Sequence, residues 1–383
     1  MKKPVTKTVA NQPSWVLRND QVEMAVTVKG GHMAPVTFYR KSDLPVQPYF
    51  ISPWQYEKGP KVEPKILSML RGDFFCLPFG GGKHGGVEYP AHGQPAGEAW
   101  KLRSLDSAAG KTQLTLTMDC TIPKGRVTKT LALVDGQNVV YSQHLCEGFS
   151  GRFPLGHHAT LAMPDEQRAV EVSTSPTVLG LTYPSAPGNP GEGEYFALRV
   201  GQKFKDLRKV PTIWKDYPVD DCSTYPRLKG FCDILGVFSK PVAKAAWTAA
   251  VFTNENFMWF SLKDPSVLPC LTIWTENHGR WTFPWNGRTN CLGLEDVAAY
   301  LATGMGASLS DNAANQAGIP TAIELSPKTP TAVNYIQGVV KVPTGFTRVA
   351  KVQFAPGSVT FVATSGKKVT TPVNHEFLFT GAL

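Results

Sequence analysis

A chain of 383 residues that is 42% hydrophobic and 18% charged has enough apolar material to bury a large core, and too much to be a disordered polypeptide. The 35 glycines and 31 prolines exceed the average share of about 12% for the two together and predict many turns. The formal charge of +9 comes from 39 Lys and Arg against 30 Asp and Glu; these residues are scattered and form no dense run, so the charge reads as a solvated surface and not as a nucleic-acid footprint.

No stretch approaches the 18 consecutive apolar residues of a membrane span, and the basic N-terminus Met1 to Ala10 lacks the apolar core of a signal peptide. The expectation is a soluble, cytoplasmic protein with no membrane partner. Seven cysteines, odd in number and without a Cys-x-x-Cys pair, argue against both a disulfide framework and a zinc site. They read as buried thiols.

In chain order, alternating or β-branched runs recur: Val22 to Val28, Gln113 to Met118, Val127 to Leu133 and Val139 to His144. Turn residues such as Pro123, Gly125, Asp135 and Gly136 bound several of them, which is the punctuation of antiparallel hairpins. The pattern returns at Val339 to Pro343, Val349 to Phe354, Val359 to Ala363 and Glu376 to Phe379, all predicted as strands. Helices are few, with candidates over Leu294 to Gly304 and Asp311 to Gly318. The proline-rich stretches Asp43 to Pro64 and Pro184 to Gly193 read as loops. Neither separates segments of different composition, and no long-period repeat is present, so the chain reads as one large all-β domain, a sandwich of two big antiparallel sheets.

The first departure from ordinary sheet is Leu70 to Gly86, whose glycines permit positive φ and close backbone approach to a ligand. It carries no phosphate-loop spacing. Next comes His92 in a loop, with Trp100 eight residues on. The adjacent His157 and His158 open an apolar run; on a strand they point to opposite faces, which disfavours joint ligation of one metal. The densest polar and aromatic region is Trp274 to Asp296, where Trp274, Trp281 and Trp285 stand among Asn, Arg and His. Indole faces stack on the apolar face of a pyranose while amides and guanidinium groups bind its hydroxyls, so a sugar site fits, and so does a tryptophan-rich core. Glu295 follows the apolar run Cys291 to Leu294, and partial burial there would raise its pKa toward that of a useful general base. No Gly-x-Ser-x-Gly or His-Glu-x-x-His is present, which leaves acid-base chemistry by His and Glu.

The ordered set of Leu77-Pro-Phe-Gly80, His92-Gly93 with Trp100, the strand pair around Val127 to Leu133 and Asn138 to Tyr141, His157-His158 and Leu292-Gly-Leu-Glu295 resembles the galactose mutarotase-like (aldose 1-epimerase) superfamily, as a divergent member. The likeness spans about residues 20 to 365. It implies a large antiparallel β-sandwich, a carbohydrate ligand, no cofactor and no metal, with His158 as general acid, Glu295 as base and His92 as a sugar binder. Arg71 and Asp233 follow as further substrate ligands, and Trp274, Trp285 and Arg288 as parts of the sugar site. The pattern departs where Ala159 and Asp296 stand in place of prolines, so His157 competes with His158 for the acid role. Two readings stay open: an anomer-interconverting isomerase and a non-catalytic carbohydrate-binding protein. A lyase or hydrolase would need a further group in the cleft, such as Tyr89 or Glu276, and convergence of Arg71, Lys83 and Arg288 there would point to an anionic sugar.

Overall fold

The computed structural model describes residues 5–383. Two large antiparallel sheets face each other, as the strand pattern predicts. One has nine strands, in the order Thr224–Tyr225, Val170–Thr174, Ala246–Phe252, Phe257–Lys263, Thr331–Lys341, Val139–Glu147, Lys124–Val134, Lys111–Thr121 and Lys101–Ala108. The other has eight: Lys203–Phe204, Leu179–Thr182, Phe231–Phe238, Cys270–Asn277, Asn290–Ala298, Leu155–His157 and Phe75–Cys76 in sequence across the sheet, with Ala159–Ala162 also pairing to Asn290–Ala298. A four-stranded sheet from the N-terminal region (Lys7–Val9 to Met33–Thr37) and a three-stranded sheet near the C-terminus (Val349–Ala355, Ser358–Ala363, Lys368–Pro372) complete the β structure around them.

Side-chain alternation along the strands divides the core into layers. Between the two large sheets lie Leu116, Leu131 and Trp259 from the nine-stranded one and Leu235, Ile273, Leu292 and Leu294 from the other. The far side of the nine-stranded sheet, with Val251, Phe260 and Ile336, is covered by Val359, Phe361 and Phe377. On the outer side of the eight-stranded sheet, Cys270, Trp274, Cys291 and Val297 meet loop residues such as Phe50, Trp54, Leu70 and Trp285. That outer face carries the cleft described below.

A polar layer is buried between the sheets. Asp296 pairs with Lys263 (Oδ1 to Nζ 2.6 Å) and accepts hydrogen bonds from Ser261 Oγ at 2.7 Å and Tyr335 Oη at 2.8 Å. Asp73 Oδ2 lies 2.9 Å from His157 Nδ1 and accepts from Gln337 Nε2 at 2.9 Å. Such groups tolerate burial only when paired in this way.

Two expected elements differ. Leu294 to Gly304 begins as part of the strand Asn290–Ala298, not as a helix; this strand is buried on both faces, and a continuous apolar run does not distinguish a central strand from a buried helix. Glu376 to Phe379 is helical, Phe377–Thr380, closed by Gly381 at φ +66. The expected helix at Asp311 to Gly318 is present as the short turn Ala313–Gln316, capped by Asn312 Oδ1, which accepts from Ala314 N and Asn315 N at 3.1 and 3.0 Å. All seven cysteines are buried and unpaired, and burial pushes their thiols up, Cys120, Cys222, Cys232 and Cys270 to about 12. Among the described residues no helix is long and apolar enough to cross a membrane.

Candidate functional site

On the outer face of the eight-stranded sheet is a cleft of about 450 Å³. Its wall includes His92, His158, Trp274, Arg280, Trp285 and Glu295. Strand parity places the central pair. Along Asn290–Ala298, Leu294 and Asp296 point between the sheets while Glu295 points outward; next door, His157 points inward and His158 outward. Within the cleft wall, His158 Nε2 is 3.2 Å from Glu295 Oε1.

Both groups are withdrawn from water, His158 at 6% and Glu295 at 2% exposure. Burial lowers the His158 pKa well below the ordinary imidazole value of 6.5 and raises that of Glu295 well above 4.5. Burial thus favours the uncharged form of each group. The other imidazole nitrogen, Nδ1, lies 3.2 Å from Thr160 Oγ1, and the ring stacks on Phe74 with centroids 4.5 Å apart. His92, with its backbone at φ 56, presents its ring edge-on to His158 at 5.0 Å; burial lowers its pKa to about 4, so it too is neutral.

Gly293 explains the spacing of the Glu295 motif. A Cβ there would lie 2.5 Å from Glu295 Oε1, so only glycine leaves room for the carboxyl where it stands. Beside the acid-base pair, where the Trp274 ring centroid is 5.9 Å from that of His158, Trp274 and Trp285 meet edge to face at 5.7 Å, and the Arg280 guanidinium lies 5.9 and 5.5 Å from their ring centroids. The Trp274 indole N–H has no hydrogen-bond partner within the protein.

Of the expected site residues, His158, Glu295, His92, Trp274 and Trp285 converge on this cleft. Four do not. His157 is turned inward onto Asp73 and stacks on Tyr335 at 4.1 Å, so of the adjacent pair it is His158 that reaches the cleft. Asp233 shares the inward parity of Leu235; it accepts from Ala197 N and Leu198 N, both at 3.0 Å, and pairs with the buried Arg227 at 3.0 Å. Arg71 is fully buried and clamps the N-terminal hairpin turn, donating to Val9 O at 3.1 Å and Ala10 O at 2.8 Å. Arg288 is held by Glu57 and by Pro284 O outside the lining. The anionic-sugar convergence thus fails, since Lys83 stands on the separate Gly82–His84 strand. Sequence reasoning missed Arg280, Tyr183 and Thr160. For Arg280 a signal existed in the cation set between tryptophans; for the other two the sequence offers none.

No family model and no curated protein matches the chain by sequence. Solved structures do match. A Salmonella typhimurium protein provisionally assigned as a mutarotase superposes with TM-score 0.58 at 13% identity, over 89% of this chain and 95% of its own. A galactose mutarotase-like protein from Clostridium acetobutylicum gives 0.56 at 12%, over 88% and 98%. A galactose mutarotase related enzyme from Lactobacillus acidophilus gives 0.52 at 12%, over 86% and 99%. The chain has the galactose mutarotase-like fold. At these identities the likeness is one of architecture, and the chemistry of the cleft rests on its own residues.

Proposed function

We propose that the protein interconverts the anomers of an aldose or aldose derivative, with His158 and Glu295 as its acid-base pair. The observation that carries this is the 3.2 Å approach of His158 Nε2 to Glu295 Oε1 in the wall of a sugar-sized aromatic cleft. Ring opening of a pyranose requires a proton delivered to the ring oxygen and another taken from the hydroxyl on the same anomeric carbon. Two titratable groups side by side match that need, because both reacting oxygens are bonded to one carbon.

Burial favours the uncharged form of each group, and the proposed mechanism starts from that state. The proton sits on Glu295, which gives it to the ring oxygen, while the neutral His158 takes the anomeric hydroxyl proton through Nε2. This is the reverse of the assignment that the family resemblance implies. Opening then creates imidazolium and carboxylate, and after the aldehyde rotates, each group reverses its transfer as the ring closes. With Nε2 facing the protonated Glu295 carboxyl, Nδ1 carries the ring hydrogen and donates to Thr160 Oγ1. His92 offers hydrogen bonds to sugar hydroxyls, and the Trp274 and Trp285 rings an apolar face.

Glu295 is the one carboxylate among the described residues that line the cleft, which argues against a glycosidase with its two carboxyl groups. The test is exchange NMR of anomeric protons over neutral and phosphorylated aldoses, with wild type and E295Q side by side. Wild type is expected to accelerate exchange for at least one aldose, and E295Q to lose about a hundredfold or more. Binding without acceleration would transfer the protein to the non-catalytic carbohydrate-binding reading, and an unimpaired E295Q would remove Glu295 from the mechanism.

A further inference from the structure

The cleft accounts for Trp274 and Trp285 but not for the third tryptophan of the same segment. Trp281 is 56% exposed, and Phe283, two residues on, is 50% exposed. A singly exposed apolar side chain is ordinary on a protein surface; an indole becomes informative when its surroundings are built to hold it.

They are. A Cβ at Gly287 would lie 2.8 to 2.9 Å from three contiguous atoms of the Trp281 six-membered ring, so the indole lies flat against that backbone; a Cβ at Gly193 would come within 3.7 Å of its Cδ1. Both glycines have positive φ, +61 and +77. Beneath the ring, the carboxylate of Glu194, itself 6% exposed, accepts from Trp281 N at 3.2 Å, Thr282 N at 3.4 Å and Thr282 Oγ1 at 2.9 Å. Glu194 thereby ties the loop that supplies Tyr183 and Ser185 to the cleft onto the loop that supplies Arg280 and Trp285. One face of the indole is seated on a glycine floor, its backbone is pinned, and the other face is open.

The position follows from covalent geometry. Arg280 stands in the cleft wall, and the next Cα along the chain, that of Trp281, is about 3.8 Å away. The cleft itself, at about 450 Å³, falls in the range that holds drug-sized ligands, which are larger than one hexose. On the same loop the Arg288–Glu57 ion pair supplies polar groups. A protein or membrane partner asks for contiguous apolar area. An exposed indole face with an ion pair on its own loop suits a pyranose, whose C–H face stacks while its hydroxyls meet polar neighbours.

We infer that Trp281 is a stacking platform for a second sugar unit, so that the cleft receives the reducing end of an oligosaccharide and not a free monosaccharide alone. This rests on the carbohydrate reading of the cleft, but not on its catalysis.

The experiment compares glucose and galactose with maltotriose, cellotriose and β-1,4-galactotriose by calorimetric titration and anomeric exchange NMR, on wild type, W281A and W281Y. At least one trisaccharide is expected to bind wild type about tenfold tighter than its monosaccharide, as one aromatic stack supplies. W281A should lose that advantage and W281Y keep most of it, with monosaccharide affinity and exchange unchanged in both. Equal affinity for trisaccharides and monosaccharides, or an advantage that survives in W281A, overturns the inference. So does self-association in sedimentation that W281A abolishes, which would give the face to a second copy of the chain. A trisaccharide advantage without exchange on any sugar would sink the anomer reading and leave the platform standing.

Discussion

His158 and Glu295 show how burial sets a reactive proton. Desolvation disfavours the charged form of each group, so it acts in opposite directions on the two pKa values and widens the pH range in which the pair carries one proton. A second proton must enter His158, which happens only well below pH 6.5; loss of the shared proton from Glu295 occurs only well above pH 4.5. The acid limb of the anomer-exchange rate is therefore expected below pH 6.5 and its alkaline limb above pH 4.5. A pH profile of kcat/KM checks this, and an acid limb at or above 6.5 would mean that His158 rests as imidazolium. His157, one residue away in sequence, faces Asp73 and Tyr335 between the sheets instead.

The strand Asn290–Ala298 carries chemistry on one face and cohesion on the other. Gly293 and Glu295 face the cleft while Leu292, Leu294 and Asp296 face the opposite sheet. Substituting G293A places a methyl group where the Glu295 carboxyl stands, and strands accept alanine at least as well as glycine. Exchange activity is expected to fall at least about tenfold with thermal stability close to wild type, a split that a rate assay and a melting curve resolve; an unchanged rate would free Gly293 from any positioning role.

The same strand marks what the sequence discloses. Its motif residues Gly293 and Glu295 were readable, and so was the opposite facing of His157 and His158, because period-two alternation is local. Its strand character was not readable over Leu294 to Ala298, where burial on both faces erases alternation. Asp233 and Arg71 were misplaced for a related reason. Which face of a sheet a polar residue joins depends on partners far along the chain, here Arg227 and the carbonyls of Val9 and Ala10. Trp274 and Trp285 reach the cleft as expected, since a cluster so dense in aromatic rings needs a shared surface wherever the loop folds.

Across the whole molecule, the two sheets are joined by apolar contact and by the buried polar layer, in which Lys263 and Tyr335 of one sheet meet Asp296 of the other. Removing one charge leaves its partner buried without compensation, which is far costlier than the pair's own net contribution. D296N is expected to lower the unfolding free energy by about 3 kcal/mol or more. Urea denaturation measures it, and an unmoved midpoint would show that Lys263 finds another partner.

The cysteines give this sandwich an internal clock. Every thiol is hidden and held in its unreactive protonated form by burial, so an alkylating reagent can mark only molecules that have come open. Cys120 and Cys146 lie in the nine-stranded sheet, and Cys76, Cys232, Cys270 and Cys291 in the eight-stranded one. Adducts counted by mass over time therefore record whether the two layers part together or one ahead of the other, with no residue substituted.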